Sequence, residues 1–129
     1  MTSRAAGPSA KDRLGRLGED LAVCHLQRQG MEILDRNWRS ATKLVRGELD
    51  VVASAPGALV FCEVKTRRSV TYGLPAEAVS AAKQARIRRL ARCWLDEHPR
   101  SWPSIRFDVV AVLCPAGGEA SIEHLAGVF

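Results

Sequence analysis

No stretch of this 129-residue chain stays apolar for the roughly 20 residues that a helical bilayer crossing needs. Its first residues, MTSRAAGPSAKDR, lack the apolar core of a secretory signal. There is no C-x-x-C step and no cysteine–histidine cluster at zinc spacing, and no internal repeat. Cys24, Cys62, Cys93 and Cys114 are instead scattered through apolar surroundings. These absences exclude a helical membrane span and a zinc module. They predict a cytoplasmic protein whose cysteines are reduced core residues.

What is present suffices for one domain. The chain is 47% hydrophobic, enough for a single packed core at this length. Its net charge of +5 favours a polyanionic partner. Small residues with Gly7 and Pro8 predict a disordered tail over residues 1–12, ahead of one domain over 13–129.

The most informative stretch is RGELDVVASAPGALVFCEVKTRR, Arg46 to Arg68. Two apolar runs, Leu49–Ala53 and Leu59–Val64, flank a Pro56-Gly57 step, which is the pattern of a β-hairpin. With Ala55–Ala58 taken as a four-residue loop, Ser54 pairs with Leu59 and Asp50 falls opposite Glu63. Directly opposed residues have Cβ atoms about 4.5–5.5 Å apart. Glu63 and Lys65 are two apart and share a face. Two carboxylates and an ammonium therefore gather on one side of a sheet, where an unpaired charge is costly.

Opposed carboxylates repel unless a cation lies between them. Mg²⁺, or Mn²⁺, suits that role: it binds through one or two carboxylates and takes phosphate oxygens as further ligands. The Val64 carbonyl adds a third hard donor beside Asp50 and Glu63. Such an ion activates water and neutralises charge on a phosphodiester. Lys65 beside that water either orients it, takes its proton or stabilises the transition state. The competing account of Glu63-Val64-Lys65 is a cross-strand salt bridge. Glu48, two residues before Asp50, ranks below it as a ligand.

Asp50…Glu63-Val64-Lys65 resembles the PD-(D/E)xK nuclease signature. A wider set extends the likeness: Gly18-Glu19, Gly47-Glu48-Leu49-Asp50, Phe61 to Arg67, Gly73-Leu74-Pro75, Glu77-Ala78-Val79, Lys83 and Arg106 to Val110. Together these resemble the bacterial YraN-like family, predicted endonucleases related to archaeal Holliday-junction resolvases, over about residues 13–113. The resemblance implies an α/β restriction-endonuclease-like core, with a mixed central sheet flanked by helices. It implies Asp50 and Glu63 as metal ligands, Lys65 as the catalytic lysine and Glu19 as the helix acid completing the site. It also implies branched DNA as substrate and a homodimer. Where such proteins often carry a second glycine before the Gly-Glu step, this chain has Arg46.

The remaining chain supplies the frame. Lys11 to Gln29 reads as a helix with Leu14, Leu17, Leu21 and His25 near one face and Ala22 and Leu26 beside it, started with help from Asp12 and ended at Gly30. His25 reads as a packed histidine, and His98 and His124 show no partner pattern. Met31 to Trp38 reads as a strand, with Trp38 in the core. Ser69 to Pro75 is a loop in which Tyr72 is a stacking candidate, and Ala76–Ala82 reads as a short helical turn. Lys83 to Glu97 is a helix burying Ile87, Leu90, Ala91, Trp94 and Leu95. Arg106 to Cys114 is a strand in which Asp108 caps, pairs with an arginine or supports the site. Ser121–Leu125 is an edge strand. The order is α-β-β-β-α-β(-β).

The candidate phosphate contacts are Arg46, Arg67, Lys83, Arg86, Arg89 and Arg92, and backbone N–H groups at Lys83 and Gln84 add to them. The leading expectation is a Mg²⁺-dependent endonuclease acting on structured or branched DNA. The alternatives are a non-catalytic nucleic-acid-binding module with the same fold, and an interaction protein whose acids form structural ion pairs.

Overall fold

The computed structural model describes residues 7–42, 44–69 and 79–129. Residues 70–75 of the expected loop, with Tyr72, and residues 76–78 of the turn expected over 76–82 lie outside the described residues, as do residues 1–6 of the expected tail. The elements run α1 (Ala10–Arg28), β1 (Glu32–Trp38), β2 (Leu49–Ala55), β3 (Ala58–Arg67), α2 (Ala81–Glu97), β4 (Ile105–Leu113) and β5 (Ser121–Leu125). The strands form one sheet in the order β1-β2-β3-β4-β5. Only the β3–β4 pairing is parallel, and α2 makes that crossover.

Both helices are stopped and started by side chains that the local sequence supplies. Ser9 and Asp12 form a capping box at the start of α1. At its end, Gly30 sits at φ 87°. The Met31 N–H donates to Leu26 O at 3.1 Å and Gly30 N–H to Gln27 O at 3.0 Å, the two bonds of a Schellman motif. Ser80 caps α2, which begins two residues earlier than expected. Its hydroxyl accepts the Lys83 N–H at 3.1 Å, and its carbonyl accepts the Gln84 N–H at 2.9 Å. Those two N–H groups are thus spent on the cap rather than offered to phosphate, a correction to the expected anion site.

The helices cover opposite faces of the sheet. On one side, Ala22, Val23 and Leu26 of α1 pack with Val51, Ala53, Val60, Cys62, Val110 and Val112. On the other, Ile87, Leu90, Ala91 and Trp94 of α2 pack with Val52, Leu59, Phe61 and Val109. The buried stripe of α1 is Gly18, Ala22, Val23 and Leu26. It is centred on the expected Ala22–Leu26 margin; Leu14 and Leu21 of the expected face pack against it half-buried, while Leu17 is 49% exposed. Small residues win because the helix lies very close to β3: a Cβ on Gly18 would fall on the Thr66 side chain. All four cysteines are free, but only Cys62 and Cys114 are buried; Cys24 is exposed on α1.

The hairpin closes more tightly than a four-residue loop. Ala55 pairs with Ala58 across Pro56-Gly57, and Gly57 takes φ 76°, as the second corner of a Pro-Gly turn requires. The register is nevertheless the expected one, with Ser54 opposite Leu59.

Candidate metal and catalytic site

The site lies where β2 and β3 part. The ladder runs as far as Val51 opposite Cys62. One step further, the register sets Asp50 opposite Glu63. Here a side chain replaces the backbone acceptor: Asp50 Oδ2 accepts the Val64 N–H at 2.9 Å. Leu59 and Phe61 belong to the α2 side of the core, so alternation along β3 turns Glu63 and Lys65 to that side as well.

Glu63 is 5% exposed, and Lys83 from the first turn of α2 reaches it, Nζ to Oε1, at 2.5 Å. Lys83 stands at the third position of α2, on the flank turned toward the sheet. It is therefore an ion-pair partner inside the site, not the surface phosphate contact expected from the basic run of this helix. Lys65 lies beside it. Burial and the neighbouring Lys83 charge lower the Lys65 ammonium's pKa, against the pull of Glu63 and Asp50. Lys83 moves the other way: burial lowers it, but the bond to Glu63 and the acids around it outweigh burial and raise its pKa.

Asp50 is the unbalanced member. Burial, and then the charge of Glu63, push its carboxyl up to about 8, against the single backbone bond from Val64. Its other neighbours are also acids. Carboxylate oxygens of Glu19, Glu48 and Asp50 lie within 4.8 Å of one another. Glu19 comes from α1, on the other face of the sheet, and the Gly18–Thr66 contact is what lets that helix approach. Asn37 fixes the outer pair. Its amide donates to Glu19 Oε1 at 2.8 Å and to Glu48 Oε1 at 3.1 Å, from a backbone at φ 49°. Arg39 Nε donates to Glu48 Oε2 at 3.2 Å.

This donor set fits a hard divalent cation. It consists of carboxylates, with the Val64 carbonyl at hand and no thiolate or imidazole among them. Asp50 is common to both groupings: the pair with Glu63, and the cluster with Glu19 and Glu48. An acid held largely protonated beside other acids is one that a cation would convert into a ligand.

Of the expected site residues, the fold gathers Glu19, Asp50, Glu63, Val64 and Lys65 with the lower-ranked Glu48, brings in Lys83, expected as a phosphate contact, and adds Asn37. Among the phosphate candidates, Arg86 flanks the site: its guanidinium lies by Gly47, which sits at φ 98° where β2 begins. Arg46, Arg89 and Arg92 are exposed. Arg67 is half-buried, with Nη1 enclosed and without a hydrogen-bond partner, so it is not a free surface cation. Asn37 left no mark in the sequence beyond the tolerance of asparagine for positive φ.

A second polar network lies on the α1 side of the sheet. Asp108 is fully buried and accepts from Arg106 Nε (2.8 Å), Arg106 Nη2 (2.9 Å), His124 Nε2 (2.7 Å) and the Gly127 N–H (2.9 Å). His124 Nδ1 in turn shares a hydrogen bond with His25 Nε2, 3.0 Å away, the donor being set by the tautomers. Both histidines thus have partners that sequence reasoning did not assign.

The sequence matches the uncharacterised protein family UPF0102 over residues 18–112. It is 54% identical to a UPF0102 protein of Frankia casuarinae over 120 residues, covering 93% of this chain and 98% of that one. Identity is 52% over 119 residues to a UPF0102 protein of an Arthrobacter species (92% and 98%) and 53% over 116 residues to one of Rhodococcus opacus (90% and 95%).

Proposed function

This chain belongs to the uncharacterised protein family UPF0102, and on that footing we propose that it is a metal-dependent endonuclease hydrolysing phosphodiester bonds in structured or branched DNA. The observation that carries this reading is Asp50. It is a half-buried acid facing Glu63, with two lysines behind that pair and two further carboxylates in front. A purely structural cluster has no need of an acid so poorly neutralised.

Asp50, Glu63 and the Val64 carbonyl would hold Mg²⁺ or Mn²⁺, with Glu19 and Glu48 closing the open side. When bound, such an ion lowers the pKa of water and neutralises charge developing on the phosphodiester. Lys83 holds Glu63 in place. Lys65, with its proton affinity lowered by burial and by Lys83, takes a proton from the attacking water. Arg86 and the exposed Arg46, Arg89 and Arg92 hold flanking phosphates, which fixes register on the nucleic acid without reading sequence. Two copies related by a two-fold axis would present one site to each strand of a symmetric junction. Reduced thiols and the lack, among the described residues, of a helix long and apolar enough to cross a membrane are compatible with action in the cytoplasm.

The test is incubation with duplex, flap and four-way DNA in Mg²⁺, Mn²⁺ or EDTA, for wild type and Lys65→Ala. Cleavage that needs metal and falls by at least about a hundredfold in Lys65→Ala is the expected result, given the usual scale of general acid–base catalysis. Binding without cleavage in every metal would instead make the protein a nucleic-acid-binding module.

A further inference from the structure

A cavity of about 560 Å³ opens at the far end of α2 from the carboxylates. Leu34, Asp35, Trp94, His98, Arg100 and Trp102 line it. Its walls are flat and aromatic. His98 stacks on Trp94 with ring centroids 4.0 Å apart and planes at 11°. The Arg100 guanidinium lies over the Trp102 ring, 4.2 Å from its centroid. The two tryptophan N–H groups are not alike. Trp94 Nε1 donates to Asp35 Oδ2 at 2.7 Å. Trp102 Nε1 is buried with no acceptor. A buried donor without a partner is costly, and a ligand acceptor would relieve that cost.

Helix geometry relates this cavity to the site. Lys83 and His98 are fifteen residues apart on one helix run, about 22 Å at 1.5 Å per residue. On the helical wheel Arg86 and Glu97 share the flank of α2 that borders the cavity, and Arg89 lies one step round toward solvent. Basic groups thus lead from the carboxylates toward the aromatic pocket. At about 3.4 Å per stacked nucleotide, the span corresponds to roughly six nucleotides. Asp35 and Glu97 make the pocket itself unsuited to a phosphate, but carboxylates accept from the amino and ring N–H groups of a base.

We propose that this pocket takes one unpaired nucleobase, stacked on the His98 ring, which the buried Trp94 backs, and against Trp102, and accepting the Trp102 N–H, about six nucleotides from the phosphodiester held at Asp50 and Glu63. The proposal rests on the nucleic-acid reading of the carboxylate site. It gives that site a substrate preference: a duplex with a single-stranded extension rather than a blunt one.

The experiment measures binding in EDTA to a blunt duplex and to the same duplex with a 3′ or 5′ single-stranded tail of about ten nucleotides. 2-Aminopurine is placed singly along the tail. One tail polarity should bind about tenfold tighter than the blunt duplex, the scale of a single base–aromatic stack. Fluorescence should be quenched in a narrow window near the sixth position. Trp102→Leu and the exposed Arg100→Ala should each remove most of the tail advantage and leave blunt-duplex affinity unchanged. Melting curves check the fold, and if Trp102→Leu does not fold, Arg100→Ala decides. A tail advantage that is absent from wild type, or that survives in the variants, overturns the pocket while blunt-duplex binding keeps the carboxylate site's reading intact. Failure of wild type to bind any of the three probes at low salt overturns both.

Discussion

Asp50 and Asp108 flank β3 from opposite sides, one on β2 and one on β4, and both are carboxyls withdrawn from water. Their surroundings could hardly differ more. Asp108 accepts four hydrogen bonds, two of them from one guanidinium, and these hold its carboxyl below the ordinary range although burial alone would raise it. Asp50 has one backbone donor and faces Glu63, Glu19 and Glu48; its carboxyl is pushed up to about 8. The same fold therefore satisfies the buried acid completely and leaves the half-buried one short of positive charge. Asp108 is structural mortar between β4, β5 and α1. Asp50 has no such partner, and under the proposed function a divalent cation would supply to it what Arg106 supplies to Asp108.

The comparison breaks most sharply at Asp108. Each of its oxygens accepts from two donors, so an asparagine amide would face two N–H groups whichever way it turned. Asp108→Asn should cost about 3–5 kcal/mol, as for breaking a buried ion pair, measured by denaturant unfolding. A cost below 1 kcal/mol would mean that the network is slack.

Next in size is Gly18→Ala. The added methyl must displace Thr66 or lift α1 from the sheet, which should cost about 1–3 kcal/mol. Because Glu19 is the next residue, the variant should also weaken metal-dependent stabilisation. Unchanged stability would show that the close approach of α1 is not needed.

The pH dependence sharpens the contrast, because the two acids act with opposite sign. The folded-state pKa of Asp50 lies above its unfolded value. Between about pH 4 and 8 the folded chain then holds more protons than the unfolded one, so this group makes stability fall as pH rises. The slope is at most about 1.4 kcal/mol per pH unit. Asp108, with its pKa lowered, contributes stability that is present above its unfolded pKa and is lost as pH falls below it. His25 is lowered too, chiefly by burial, and also loses stability toward acid. The difference between wild type and Asp50→Asn in EDTA removes the terms they share. It should grow in favour of the variant from pH 4 to 8, and a flat difference would contradict the assignment.

Much of this was legible in the sequence because it is local. Pro56-Gly57 sets the hairpin, and counting back along its strands places Asp50 against Glu63. The 3.6-residue period marks the buried face of α2. What was not legible depends on distant elements meeting. Lys83 reads as one more cation in the run Lys83–Arg92, and only the crossing of α2 over β3 turns it onto Glu63. His124 meets Asp108 and His25 through the β4–β5 pairing and the seat of α1. Gly18 looks like a weak point in a helix until Thr66 is seen beneath it.

The most direct test of the account is a set of melting curves for wild type and Asp50→Asn, each in EDTA and in excess Mn²⁺. In EDTA, Asp50→Asn should be no less stable than wild type, since it removes repulsion without breaking a pair. A hundredfold excess of Mn²⁺ over its Kd should stabilise wild type by about 2.7 kcal/mol, and Asp50→Asn should lose most of that gain. A loss of about 3–5 kcal/mol in Asp50→Asn without metal, together with no response of wild type to Mn²⁺, would contradict the account and make Asp50 a structural acid like Asp108.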